Sequence, residues 1–238
     1  MAASRIPGPL GIHRSASIDA STLCRITSAT TGPVGNVCHK SSRIPSSPLI
    51  IFFGGACDAD SLLFKLLTFW DKDGHNNMKT VYNNYSHGNH RACFYTWDSG
   101  DEAVQRILLE AKTDPEVRVC LVGHSFGGDT AIDVAEEVNE KGDGFEIELV
   151  VTLDAVSPGA HFEWQKDKPE NVFYWFNVHV QWELDWNNIV AQTGGHWGKQ
   201  ENADSNIQMP KGVFHHQASQ MFDTVKGAVW NFHLLEAL

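Results

Sequence analysis

Gly123-His124-Ser125-Phe126-Gly127 sets one hydroxyl between two glycines, with the apolar run Val117–Val122 before it and a helical pattern after it. A serine in a strained strand-to-helix turn is the arrangement that lifts a hydroxyl clear of a sheet, and the strand and helix meet so closely there that the flanking positions must be small. The following helix aims N–H groups and its positive end at the same point. The chemistry is nucleophilic attack on a carbonyl. A serine at its ordinary pKa is weak in that role and needs a base, itself oriented by a third group.

With this pentapeptide the usual chain order is serine, acid, histidine. Asp154, in Val150-Val151-Thr152-Leu153-Asp154-Ala155, follows the next apolar strand and is the expected acid. Asp185, after a later strand, is the alternative. The base is expected from Phe214-His215-His216-Gln217. Adjacent loop side chains point different ways, so one of the pair faces Ser125. His216 is expected because it borders the helical pattern of 217–225, with His215 as the alternative. His179, His196 and His233 are weaker candidates, and His179 reads as a core histidine inside a strand. Two backbone donors are needed for a developing oxyanion. One is Phe126 N–H, next after the serine. The other is Gly55 or Ala56, in the Gly-Gly turn after Leu49–Phe53.

Phosphate chemistry is disfavoured, because neither G-x-G-x-x-G nor G-x-x-x-x-G-K-[ST] spacing occurs. His87-Gly88-Asn89-His90 lacks a carboxylate or cysteine partner at ligand spacing, so no metal and no cofactor is expected.

These residues need a sheet to hold them. Apolar runs at 48–53, 92–97, 117–122, 146–155 and 171–180 read as strands, with a short one at 203–208. Helical patterns cover 61–70, 100–112 and 128–140, and 228–238 closes the chain; the Asn- and His-rich stretch 74–90 reads as a loop or irregular element. Strands alternating with helices, several of them uninterrupted apolar runs, predict an α/β fold with a mostly parallel central sheet and helices on both faces.

Residues 1–47 are rich in Ser, Thr, Gly and Pro without an apolar period, and read as a leader or docking segment ahead of a domain over 48–238. Five of the eight tryptophans lie between Trp164 and Trp197, beside Phe162, Phe173, Tyr174 and Phe176. That makes 157–210 an aromatic-rich insertion near the site, a lid or acyl pocket, with Phe173 and Trp175 assigned to the core. The formal net charge of −11 argues against nucleic acid and against electrostatic adsorption to anionic membranes, so lipid contact would be apolar and transient. Five scattered cysteines without a C-x-x-C pair predict free thiols. No secretory signal pattern is seen at the start, which predicts synthesis in the cytoplasm.

Together, Gly-His-Ser-Phe-Gly-Gly, the strand-end Thr-Leu-Asp-Ala-Val-Ser-Pro and His-His-Gln-Ala-Ser, in that order, resemble the α/β-hydrolase superfamily over about residues 48–235, and its lipase branches in particular. The resemblance supports Asp154 over Asp185, although Ala155 stands where such lipases carry proline. Residues 171–198, followed by Asn-Ala-Asp-Ser-Asn-Ile, are similar to lipase-type antibacterial effectors of type VI secretion systems, as is the leader Ser-Arg-Ile-Pro-Gly-Pro-Leu-Gly. That likeness implies a phospholipase toxin delivered to a target cell's periplasm, a secretion spike protein as carrier and a neutralising immunity protein. The rival readings are a hydrolase-like binding or delivery module without turnover, and a thioesterase or amidase on the same triad.

Overall fold

The computed structural model describes residues 47–58, 77–86, 91–157, 165–181 and 194–234. The chain divides into two units, Met1–Arg43 and Ile44–Leu238, and every element below belongs to the second. The expected leader, the helix at 61–70, the His87–His90 stretch, Asp185 and the aromatic residues Phe162, Trp164, Trp182 and Trp186 lie outside the described residues.

In chain order the elements are β1 (Leu49–Gly54), a 3-10 turn (Ala56–Asp58), α1 (Met78–Ser86), β2 (Arg91–Thr96), α2 (Gly100–Thr113), β3 (Val119–His124), α3 (Phe126–Lys141), β4 (Ile147–Leu153), β5 (Val156–Ser157), β6 (Val172–His179), β7 (Gly195–His196), β8 (Ser205–Gln208) and α4 (Ala218–Leu234). Six strands form one sheet in the order β2-β1-β3-β4-β6-β8, with every pairing parallel. β5 and β7 form a separate antiparallel pair.

The continuous apolar runs follow from burial on both faces. Leu49, Ile51 and Phe53 of β1 and Val119 and Leu121 of β3 pack beneath α2 and α3. The alternate residues, Ile50, Phe52, Cys120 and Val122, pack beneath α1 and α4. This is the α/β architecture expected from the sequence.

Three local expectations are corrected. Residues 78–86 are a helix rather than part of a loop. Met78, Val81 and Tyr85 are its buried face, at a spacing of three and then four that the surrounding Asn and Ser residues obscure. Phe173, expected in the core, is 66% exposed near the start of β6, whereas Trp175 is fully buried. Trp197, counted among residues able to line a pocket, is a core residue meeting Trp175 edge to face. Cys93 and Cys120 are free thiols.

Candidate active site

The central strand β3 ends at His124, and Ser125 turns the chain directly into α3. Ser125 holds φ 58° and ψ −129°, a conformation costly for a residue with a Cβ. The turn is over-determined by its surroundings: Ser125 N–H donates to Leu153 O at 3.1 Å, and Val156 N–H donates to Ser125 O at 3.1 Å. The flanking glycines are close-approach positions. A Cβ on Gly123 would lie 2.0 Å from Gly127 O, and one on Gly127 would lie 2.4 Å from Phe53 O.

Asp154 leaves the end of β4, the neighbouring strand, with a positive φ of 45° and no exposure. Its backbone N–H donates to Val178 O at 2.6 Å, which ties it to β6. Its side chain meets the ring of His215, with Nδ1 at 2.6 Å from Oδ2. The other nitrogen of that ring, Nε2, is 2.9 Å from Ser125 Oγ. A carboxylate only accepts, so His215 Nδ1 carries the proton and Nε2 is left to accept from the serine hydroxyl. Ser125, His215 and Asp154 are thus one continuous hydrogen-bonded chain across residues 90 and 61 positions apart.

The histidine expected to face Ser125 was His216; the structure brings His215 there instead. The ring of His216 lies parallel to that of Phe214, centroids 6.1 Å apart, instead of turning to the serine. His124 settles the choice. Its Nε2 donates to His215 O at 2.7 Å, and the two rings pack at 4.9 Å. His124 is buried, its Nδ1 has no partner among the described residues, and burial together with the neighbouring His215 pushes its pKa down to about 3. It is a neutral ring that holds His215 in place. Sequence reading passed over it because the second residue of the pentapeptide has no assigned chemistry.

His196 was a minor candidate for the base and has another place. Its Nε2 is 2.8 Å from Asp154 Oδ1, which also accepts Val180 N–H at 3.0 Å. Burial alone would raise the pKa of Asp154, but the hydrogen bonds from His196 and His215 outweigh it and hold the group well below the usual carboxylate range.

On the far side of the serine, Gly55 packs so tightly that a Cβ there would lie 2.7 Å from Ser125 Cβ. The Gly55 N–H is already engaged, donating to Asp58 Oδ2 at 3.0 Å. Of the two expected loop donors this leaves Ala56. The N–H groups of Ala56 and Phe126 have no acceptor among the described residues, and Phe126 is the first residue of α3, where no intrahelical acceptor exists. Among the described residues no group of His, Cys, Asp and Glu is arranged to hold a metal ion.

No protein-family model and no curated protein matches the sequence. Solved structures with a similar chain path include a Xanthomonas campestris pv. campestris protein of the alpha/beta hydrolase superfamily, at 13% identity and a TM-score of 0.42, covering 81% of this chain and 100% of its own. They also include YbtT, the type II thioesterase of the yersiniabactin NRPS/PKS biosynthetic pathway, at 9% identity and a TM-score of 0.44, covering 82% of this chain and 96% of its own. An acetyl xylan esterase matches at 13% identity and a TM-score of 0.29, covering 76% of this chain and 99% of its own. With its parallel six-stranded sheet, helices on both faces and a serine corner closing the third strand, the chain has an α/β fold.

Proposed function

We propose that the protein is a serine hydrolase of carboxylic esters. His215 Nε2 takes the proton of Ser125 as Oγ attacks the ester carbonyl. The N–H groups of Phe126 and Ala56 hold the resulting oxyanion. His215 then returns the proton to the departing alkoxide, leaving an acyl group on Ser125. Water, deprotonated by His215, attacks that acyl-enzyme and releases the acid. Asp154 keeps the imidazole in the required tautomer and stabilises its charged form. The observation that carries this reading is the unbroken relay from Ser125 Oγ through His215 to the buried Asp154 carboxylate.

A fluorophosphonate probe tests it directly. The probe should label the wild-type chain at Ser125 and leave Ser125→Ala unlabelled. The same substitution should lower kcat/KM on a chromogenic acyl ester by about ten-thousandfold or more. An unlabelled wild type with no turnover would instead favour the binding-module reading.

The proposed substrates are lipid esters, membrane phospholipids in particular, and the proposed setting is a type VI effector with a spike-protein carrier and an immunity protein. The sequence resemblance and the aromatic segment 157–210 support this, and net charge favours apolar over electrostatic contact with a bilayer. Bacteria expressing wild type or Ser125→Ala in the periplasm test it. Lysophospholipid or free fatty acid that rises with the wild type alone supports a phospholipase. Unaltered lipids alongside hydrolysis of short esters or thioesters in vitro would point to a small acyl substrate.

A further inference from the structure

Asp154 serves two imidazoles, one on each oxygen: His215 Nδ1 at 2.6 Å on Oδ2 and His196 Nε2 at 2.8 Å on Oδ1. Only the first is needed for the relay to Ser125. The second is delivered by a rigid piece of structure. His196 lies on β7, in register with Val156 of β5, two residues past Asp154 itself. The pair is fastened at Trp197, whose backbone N–H donates to Ala155 O at 3.1 Å and whose Nε1 donates to Ser157 Oγ at 2.7 Å. Ser157 Oγ in turn donates to Asp129 Oδ1 of α3 at 2.7 Å. The His196 ring is therefore held to the carboxylate from the strand pair and not by an excursion of a loop.

Taking the triad to be catalytic, we propose that His196 is a positioning residue that fixes the rotation of the Asp154 carboxylate and, through its own proton, sets how strongly that carboxylate supports His215 as a base. One negative charge is divided between two rings. With His196 neutral, it donates a single N–H and leaves the full charge to stabilise the imidazolium that forms at His215. With His196 protonated, the carboxylate is already neutralised, and a second cation at His215 faces like charge across it.

The titratable groups facing His196 are Asp154, from the end of β4, and His179, from the end of β6. Burial lowers the pKa of His179, so Asp154 is the ionised neighbour. Burial opposes protonation of His196 as well, but its hydrogen bond to Asp154 outweighs that and raises its pKa. His196 thus gains its proton above the ordinary histidine value, and as pH drops that ionisation weakens the base.

The test is the pH dependence of kcat/KM on a chromogenic acyl ester for wild type, His196→Gln and His196→Ala. Gln presents an N–H near the position of Nε2 but does not titrate. The wild-type acid limb should carry one ionisation more than that of His196→Gln. His196→Ala should lose about tenfold or more in kcat with KM within about twofold, and Gln should recover most of that loss. Identical acid limbs in wild type and His196→Gln would overturn the proposal. So would equal losses in the Gln and Ala variants that track a fall in thermal stability. Fluorophosphonate labelling separates the two possible failures. A labelled wild type with identical limbs removes the role of His196 alone, whereas an unlabelled wild type removes the triad reading and this one with it.

Discussion

At the scale of single residues, the neighbouring imidazoles 215 and 216 make the sharpest contrast. His215→Ala should be as inactive as Ser125→Ala, whereas His216→Ala should stay within about twofold of wild-type kcat/KM, because its ring meets Phe214 and not the serine. Asp154→Asn should cost about ten-thousandfold in kcat, since an amide can donate to Nδ1 and so turn the ring to the wrong tautomer. His124 makes a prediction about stability. Its pKa is about 3 in the folded chain and about 6.5 in the unfolded one, so between those values the unfolded state binds the extra proton. Folding stability from this group is intact above about pH 6.5 and is lost as pH falls towards 3, by about 1.4 kcal/mol per pH unit. Urea unfolding of wild type and His124→Gln at several pH values between about 4 and 7 should show the wild type losing stability faster on acidification by roughly that slope.

At the scale of elements, the serine corner depends on how closely β1, β3 and α3 approach. A Cβ on Gly127 would meet the backbone oxygen of Phe53, which cannot move without disturbing β1. Gly127→Ala should therefore destabilise the fold by about 3 kcal/mol, measured by denaturant unfolding. Gly55 differs in kind, because its imagined Cβ meets the Ser125 side chain at 2.7 Å. Gly55→Ala should cost turnover and stability together, with kcat reduced by about a hundredfold or more and a lowered Tm as the expected result. α1 shows why a short element can escape sequence reading. Nine residues give only three buried positions, Met78, Val81 and Tyr85, and the neighbouring Asn83, Asn84 and Ser86 carry the composition of a loop.

At the scale of the whole molecule, the site depends on contacts that cross the sheet. Ser125 comes from the end of β3, Asp154 from the end of β4, and His215 from the segment between β8 and α4. We propose that residues 44–238 suffice for this. A chain starting at Ile44 should still be labelled at Ser125 by a fluorophosphonate and should melt within a few degrees of the full chain. With 29 acidic against 18 basic residues, contact with lipid should be apolar. Co-sedimentation with phosphatidylcholine vesicles should then be unchanged between low and high salt, whereas charge-driven adsorption would weaken as salt screens it.

Much of this was legible locally. Apolar runs on both faces of a parallel sheet need no alternation, so β1, β3 and β4 stand out from the chain, and the glycines around Ser125 report how closely strand and helix must meet there. The position of Asp154 follows from the same strand pattern. Which histidine meets Ser125 was not legible, because two adjacent histidines in a loop have no period to tell them apart. A hydrogen bond from His124, 91 residues earlier, decides between them. The second imidazole on Asp154 was hidden for the same reason: His196 reaches the carboxylate only because the two-residue strands β5 and β7 pair. The sequence by itself determined the layered sheet, the serine corner and the place of Asp154 at a strand end, since these follow from local pattern. Which ring faces the hydroxyl, and which ring shares the acid, were decided only by tertiary structure, because hydrogen bonds act over about 3 Å and only the folded chain brings such distant residues within that reach.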